Sequence, residues 1–94
     1  MEHLKALLRG NMNHINQFII EISSDLDYED LVANVLYEEE TVAIVSQEQG
    51  LDKLEIEIFS PGDKEPWKFF FHDFLNALLF AKKRLIQMQK LPEE

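Results

Sequence analysis

Apolar and polar residues alternate through most of the middle of this chain, and that alternation predicts strands. Phe18, Ile20 and Ile22 interleave with Ile19, Glu21 and Ser23, a period of two. A helix through 15–22 competes, because Ile15, Phe18, Ile19 and Ile22 also share a helical face; the preponderance of Phe and Ile favours the strand. Leu31–Tyr37 follows, with Leu31, Ala33, Val35 and Tyr37 on one face, and then Thr41–Gln47, rich in β-branched residues. Glu38, Glu39 and Glu40 form the turn between those two strands, and Gln49-Gly50-Leu51-Asp52 forms the next. Leu54, Ile56 and Ile58 against Glu55 and Glu57 give the cleanest alternation. That pattern predicts one buried face and one carboxylate face, as in an antiparallel sheet wet on one side. Ser60-Pro61-Gly62-Asp63 reads as a turn, and Trp67–Phe71 as a short aromatic fifth strand.

The period lengthens at both ends. Met1–Leu8 predicts a short helix with Leu4, Leu7 and Leu8 on one side and Gly10 as its stop; Asn11, Asn13 and Asn16 then make a turn-prone stretch. Asp73 is placed to cap a long helix whose apolar stripe is Phe74, Leu75, Leu78, Leu79, Leu85 and Ile86, opposite Asn76, Lys83, Gln87 and Lys90, with Pro92 as its end. The sequence thus predicts an α+β domain over residues 1–94. It has a short N-terminal helix, an antiparallel β-meander of four to five strands, and a long C-terminal helix packed on one sheet face. Phe69, Phe70 and Phe71 are consecutive, so a strand cannot send all three to one side. Either the N-terminal helix covers the second face, or Phe70 meets another chain.

Composition changes this picture in one respect: it narrows the class. Ninety-four residues at 46% hydrophobic are enough for one core and too apolar for a disordered chain. The absence of cysteine leaves no disulfide or thiolate chemistry and fits a reducing cytoplasm. Met1–Arg9 lacks the apolar run and cleavage site of a signal peptide, and no stretch approaches the roughly 18 residues of a membrane helix. A soluble, cytoplasmic protein with no membrane partner is expected.

Charge adds a location. The net of −9 opposes direct nucleic-acid binding, since phosphates would be repelled. Residues 25–65 hold 13 acids against Lys53 and Lys64, a net of −11, whereas 1–24 balance and 66–94 carry +2. The excess belongs to the meander, where it is either a binding surface or a solubilising face.

Chemistry is sparse. His3, His14 and His72 include no i, i+4 pair, and no cysteine completes a zinc set. His72 beside Asp73 reads as structural, because neighbours on a strand point to opposite faces. With three glycines there is no phosphate-cradling loop, and no serine has a histidine nearby to activate it. Asp25, Asp27, Glu29 and Asp30 cluster, but without the central Gly and distal Glu of a calcium loop. The aromatic group Trp67, Phe69, Phe70, Phe71, Phe74 and Phe80 has only Lys68 beside it, so it suits a core better than a nucleic-acid stacking platform. No catalytic residue, metal site or cofactor is expected.

Tyr28-Glu29-Asp30-Leu31-Val32-Ala33, Val42–Leu51, Leu54-Glu55-Ile56-Glu57-Ile58, Phe74-Leu75-Asn76-Ala77-Leu78 and Ala81-Lys82-Lys83-Arg84-Leu85 together span most of residues 18–86. In them the chain resembles the small acidic bacterial immunity proteins encoded beside polymorphic or contact-dependent-inhibition toxins. The resemblance implies a protein that binds and neutralises a cognate toxin domain, often a nuclease, and it carries no catalytic motif. An acidic surface suits that task, because it can block a basic substrate groove and steer association. The expected contact surface is Asp25, Asp27, Tyr28, Glu29 and Asp30 with the turn Glu38, Glu39 and Glu40; Glu55 and Glu57 form the rim, and Tyr28 and Tyr37 are the aromatic anchors. The alternative is a non-catalytic adaptor or homo-oligomer whose acidic face only solubilises.

Overall fold

The computed structural model describes residues 12–62 and 65–89. Five strands, β1 Met12–Ile15, β2 Phe18–Ser23, β3 Val32–Tyr37, β4 Glu40–Ser46 and β5 Glu55–Ile58, precede helix α1, Phe71–Gln89. They form one antiparallel sheet in the order β1-β2-β3-β4-β5, with α1 packed on one face. The α+β meander expected from the alternation is what forms. The proposed helix over Met1–Leu8 lies outside the described residues.

Register explains the core. Phe18↔Tyr37, Ile20↔Val35 and Ile22↔Ala33 lie opposite one another, and Val35↔Ala43 and Ala33↔Val45 continue the same face onto β4. Phe18, Ile20, Ile22, Ala33, Val35, Ala43 and Val45 are all buried there, so the strand reading of 18–22 prevails over the helix. Val35 pairs with Ala43 and Leu36 with Thr41, which leaves Val42 as an extra residue without an opposite partner. This bulge lets Val42 and Ala43 both be buried in the core cluster.

Helix α1 presents Ala77, Ala81 and Leu85 to the sheet, fully buried, with Phe74, Leu78 and Met88 beside them. The stripe is therefore rotated from the predicted one: two alanines lie at its centre and Leu79 is half exposed. Small side chains let a helix lie close to a sheet, and a scan for large apolar residues passes over them. Rings fill the remaining end of the core. Phe18 lies 4.9 Å edge-on from Phe69, 5.7 Å from Phe74 and 5.8 Å from Tyr37, centroid to centroid.

Four expectations need correction. Met12–Ile15 is a strand, although Asn13 within it reads as turn; Asn16, at φ 57, turns the chain into β2. Trp67–Phe71 is not a fifth strand. Residues 65–70 run without ladder partners into α1, which begins at Phe71. Their alternation is nevertheless real: Trp67 and Phe69 pack against the core while Lys68 and Phe70 face outward. Asp73 is not the N-cap, since the Phe74 N–H already donates to the Phe70 carbonyl at 3.1 Å; Asp73 sits in the first turn, where its charge still complements the helix dipole. Finally, β5 has no buried face. Helix α1 packs over β1 to β4, leaving Ile56 and Ile58 exposed.

Candidate functional site

The expected contact residues fall on two ends of the sheet. At one end, the connection 24–31 between β2 and β3 is drawn onto β4 and β5. The Asp25 side chain accepts from the Asp27 N–H at 3.1 Å, and its carbonyl accepts from the Tyr28 N–H at 3.0 Å, closing a tight turn. Glu48 Oε2 then accepts from the N–H groups of Glu29 and Asp30 at 3.0 and 3.2 Å, and Gln47 Nε2 donates to the Leu31 carbonyl at 2.8 Å. Two side chains just after β4 thus grip the loop backbone. The placement accounts for Val32 and Ser46, which the register puts on the face away from α1 and which are nonetheless buried. Sequence reasoning missed Glu48, because nothing local marks a carboxylate whose partners are 18 and 19 residues away.

So held, Tyr28 reaches across to β5, where its hydroxyl donates to Glu57 Oε1 at 2.9 Å. That hydrogen bond raises the Tyr28 pKa above its usual 10.0, with lesser contributions from desolvation and from the charges of Glu57, Asp25 and Asp27. Tyr28, Asp25, Asp27 and Glu57 are therefore brought together as expected. Asp27, Glu29, Asp30 and Glu55 are exposed around them. Because the folded state prefers the protonated phenol, the contribution of this contact to stability is present below about pH 10 and fades as pH rises through the folded pKa. In an NMR titration of the tyrosine ring carbons, Tyr28 should ionise above 10, and Glu57→Gln should move it back towards 10. An unchanged midpoint in that variant would rule out Glu57 as the cause.

The turn Glu38-Glu39-Glu40 lies at the other end of β3, about 20 Å away at the usual strand rise. Glu38 and Glu39 take φ values of 51 and 70, the sign pattern of a type I′ hairpin turn. Tyr37, expected as an aromatic anchor beside the acidic residues, lies on the opposite side of the sheet from the loop. It faces α1 and packs edge-on to Trp67 at 5.6 Å and Phe69 at 5.0 Å. Between the two ends, the face away from α1 carries a shallow hollow of about 560 Å³ lined by Asp25, Asn34, Thr41, Ile44 and Phe59. This face is thus acidic at the loop end and partly apolar along its middle, whereas Glu40, opposite Tyr37 in the register, lies on the side of α1. The positive side chains Lys82 and Lys83 lie exposed on α1, across the sheet.

Among the described residues, no three His, Asp or Glu side chains converge into a metal-holding group, and no helix is long and apolar enough to cross a membrane. His72 is exposed, with its ring edge-on to Phe71 at 5.5 Å. In comparisons with known proteins the chain matches no family model, no curated protein and no solved structure, so its function is to be read from its own side chains.

Proposed function

We propose that this protein is an immunity protein, which binds a cognate toxin domain and neutralises it by occupation, without catalysis of its own. A basic nuclease domain is the natural target. The observation that carries this reading is the braced acidic end of the sheet. Asp27, Glu29 and Asp30 are exposed on a loop whose backbone Glu48 holds, so the charges are presented without first having to be ordered. Tyr28, Asp25 and Glu57 lie beside them. The resemblance in sequence supports the same reading, and on it the protein acts in the cytoplasm of the cell that makes the toxin.

The test is a binding measurement against the toxin domain encoded next to this chain. A 1:1 complex of nanomolar or tighter affinity is expected, with an on-rate that falls as salt rises. Asp27→Lys, Glu29→Lys and Asp30→Lys together should slow association at least tenfold at low salt and leave the melting temperature nearly unchanged, because these side chains do not brace the loop. Equal on-rates for parent and variant would refute the acidic end as the site.

The competing reading, a homo-oligomeric adaptor, draws on Phe70 and Phe71, which are 78% and 74% exposed at the start of α1. Sedimentation equilibrium showing a strict monomer at high concentration removes the homo-oligomer.

A further inference from the structure

Strand β5 ends the sheet, and among the described residues nothing pairs with its outer side. In an antiparallel ladder, residues that exchange both backbone bonds with a neighbour alternate with residues whose N–H and C=O point away from it. The Phe59 N–H donates to the Val42 carbonyl at 3.0 Å, and the same register pairs Glu57 with Ile44 and Glu55 with Ser46. Those residues bond to β4. Ile56 and Ile58 therefore aim their backbone groups at the open edge.

Their side chains lie on the helix side, 47% and 68% exposed. There they form one bank of an apolar trench whose other bank is α1. Two hollows of about 390 and 330 Å³ lie along the trench, and both are lined by Leu75 and Leu78, so they adjoin. On the opposite side of the same strand stand Glu55 and Glu57, with Tyr28 bonded to the latter.

We propose that the β5 edge takes up an extended strand of another protein, one that alternates apolar residues facing the trench with basic residues facing Glu55 and Glu57. This mode of docking rests on the inhibitor reading above only for the source of the strand. The backbone groups of Ile56 and Ile58 supply the ladder, the trench receives alternate side chains, and the two carboxylates select their charge. Charge also disfavours β5 pairing with β5 of a second copy of this chain. Opposed residues in an antiparallel pair share a face, so the two registers that overlap β5 with β5 of a copy most fully, Ile56 opposite Ile56 or Ile56 opposite Ile58, would set Glu55 against Glu57 or Glu57 against Glu57. Like charges directly opposite one another are repelled.

Three synthetic peptides test this: one alternating lysine and valine, one of the same composition with its lysines and valines in separate blocks, and one alternating glutamate and valine. Amide hydrogen exchange followed by NMR should show Ile56 and Ile58 slowed at least tenfold by the alternating lysine peptide and by neither of the others. Glu55→Lys with Glu57→Lys should transfer the protection to the glutamate peptide. Ile58→Pro, which removes an outward N–H and no bond to β4, should abolish it while circular dichroism stays that of the parent. No slowing at Ile56 and Ile58 with millimolar lysine–valine peptide overturns the proposal, as does equal slowing by the blocked peptide. Protection without any peptide in a sedimenting dimer overturns it too, in favour of a second copy. A failed peptide alongside a salt-sensitive toxin complex removes the docking mode and leaves the inhibitor; a protected edge with no toxin bound does the reverse.

Discussion

Phe18→Ala should lower the melting temperature by at least about 12 °C. Phe18 is fully buried and is the ring on which Tyr37, Phe69 and Phe74 converge, at 5.8, 4.9 and 5.7 Å. Truncating a buried Phe costs about 3–5 kcal/mol, because the cavity left behind closes only in part. Domains of this size have about 5–15 kcal/mol of total stability, and each kcal/mol moves the midpoint by about 4–8 °C. The loss falls at a junction as well as in a core. Phe69 belongs to the segment leading into α1, and Phe74 to its first turns, so removing their shared neighbour loosens the start of the helix. Thermal denaturation by circular dichroism checks the result; a midpoint within about 3 °C of the parent would show that the cluster does not depend on Phe18.

Replacing Glu38 by Asn and Glu39 by Gly should act in the opposite direction and stabilise the fold by about 1–2 kcal/mol. Both residues hold positive φ, 51 and 70, in a two-residue turn between Tyr37 and Glu40. Left-handed backbone costs an ordinary L-residue about 1–2 kcal/mol, and Asn-Gly is the pair that adopts this turn most readily. The greater freedom of Gly in the unfolded chain takes back about 0.5–1 kcal/mol. Denaturant titration measures the gain. A control, Glu38→Gln with Glu39→Gln, removes the charge and keeps the strain; if it stabilises equally, repulsion rather than backbone is the source. Strain retained at two exposed carboxylates is the pattern expected where side-chain identity serves a purpose other than stability.

Most strands were legible in the sequence because their alternation matches a face that is buried, as in Phe18-Ile20-Ile22. The failures share one cause: a local pattern reports how side chains are sorted, not which backbone groups lie alongside. Trp67 and Phe69 sort like a strand without a ladder, and Met12–Ile15 is a strand whose polar residues do not sort like one. On β5 the sorting is present, but α1 does not extend over it, so the apolar side stays open. In the candidate site, the cluster of Asp25, Asp27 and Tyr28 was readable from proximity in the chain. Its brace, Glu48, and the separation of Glu38–Glu40 from it were not, because both follow from the order of strands.

That order has a consequence for how the chain reaches this state. Every strand pairs with the one next to it in sequence, so ladders form by closing short loops, two residues at 16–17 and at 38–39. Closure entropy grows slowly with loop length, and topologies rich in such local pairings fold quickly, typically within milliseconds. Helix α1, however, follows all five strands in the chain. During synthesis all five strands therefore emerge before α1, and Ile20, Val35 and Val45 lack their helix cover until Ala77, Ala81 and Leu85 follow. Until the last helical turn is made, the apolar side of the sheet has no helix to bury it.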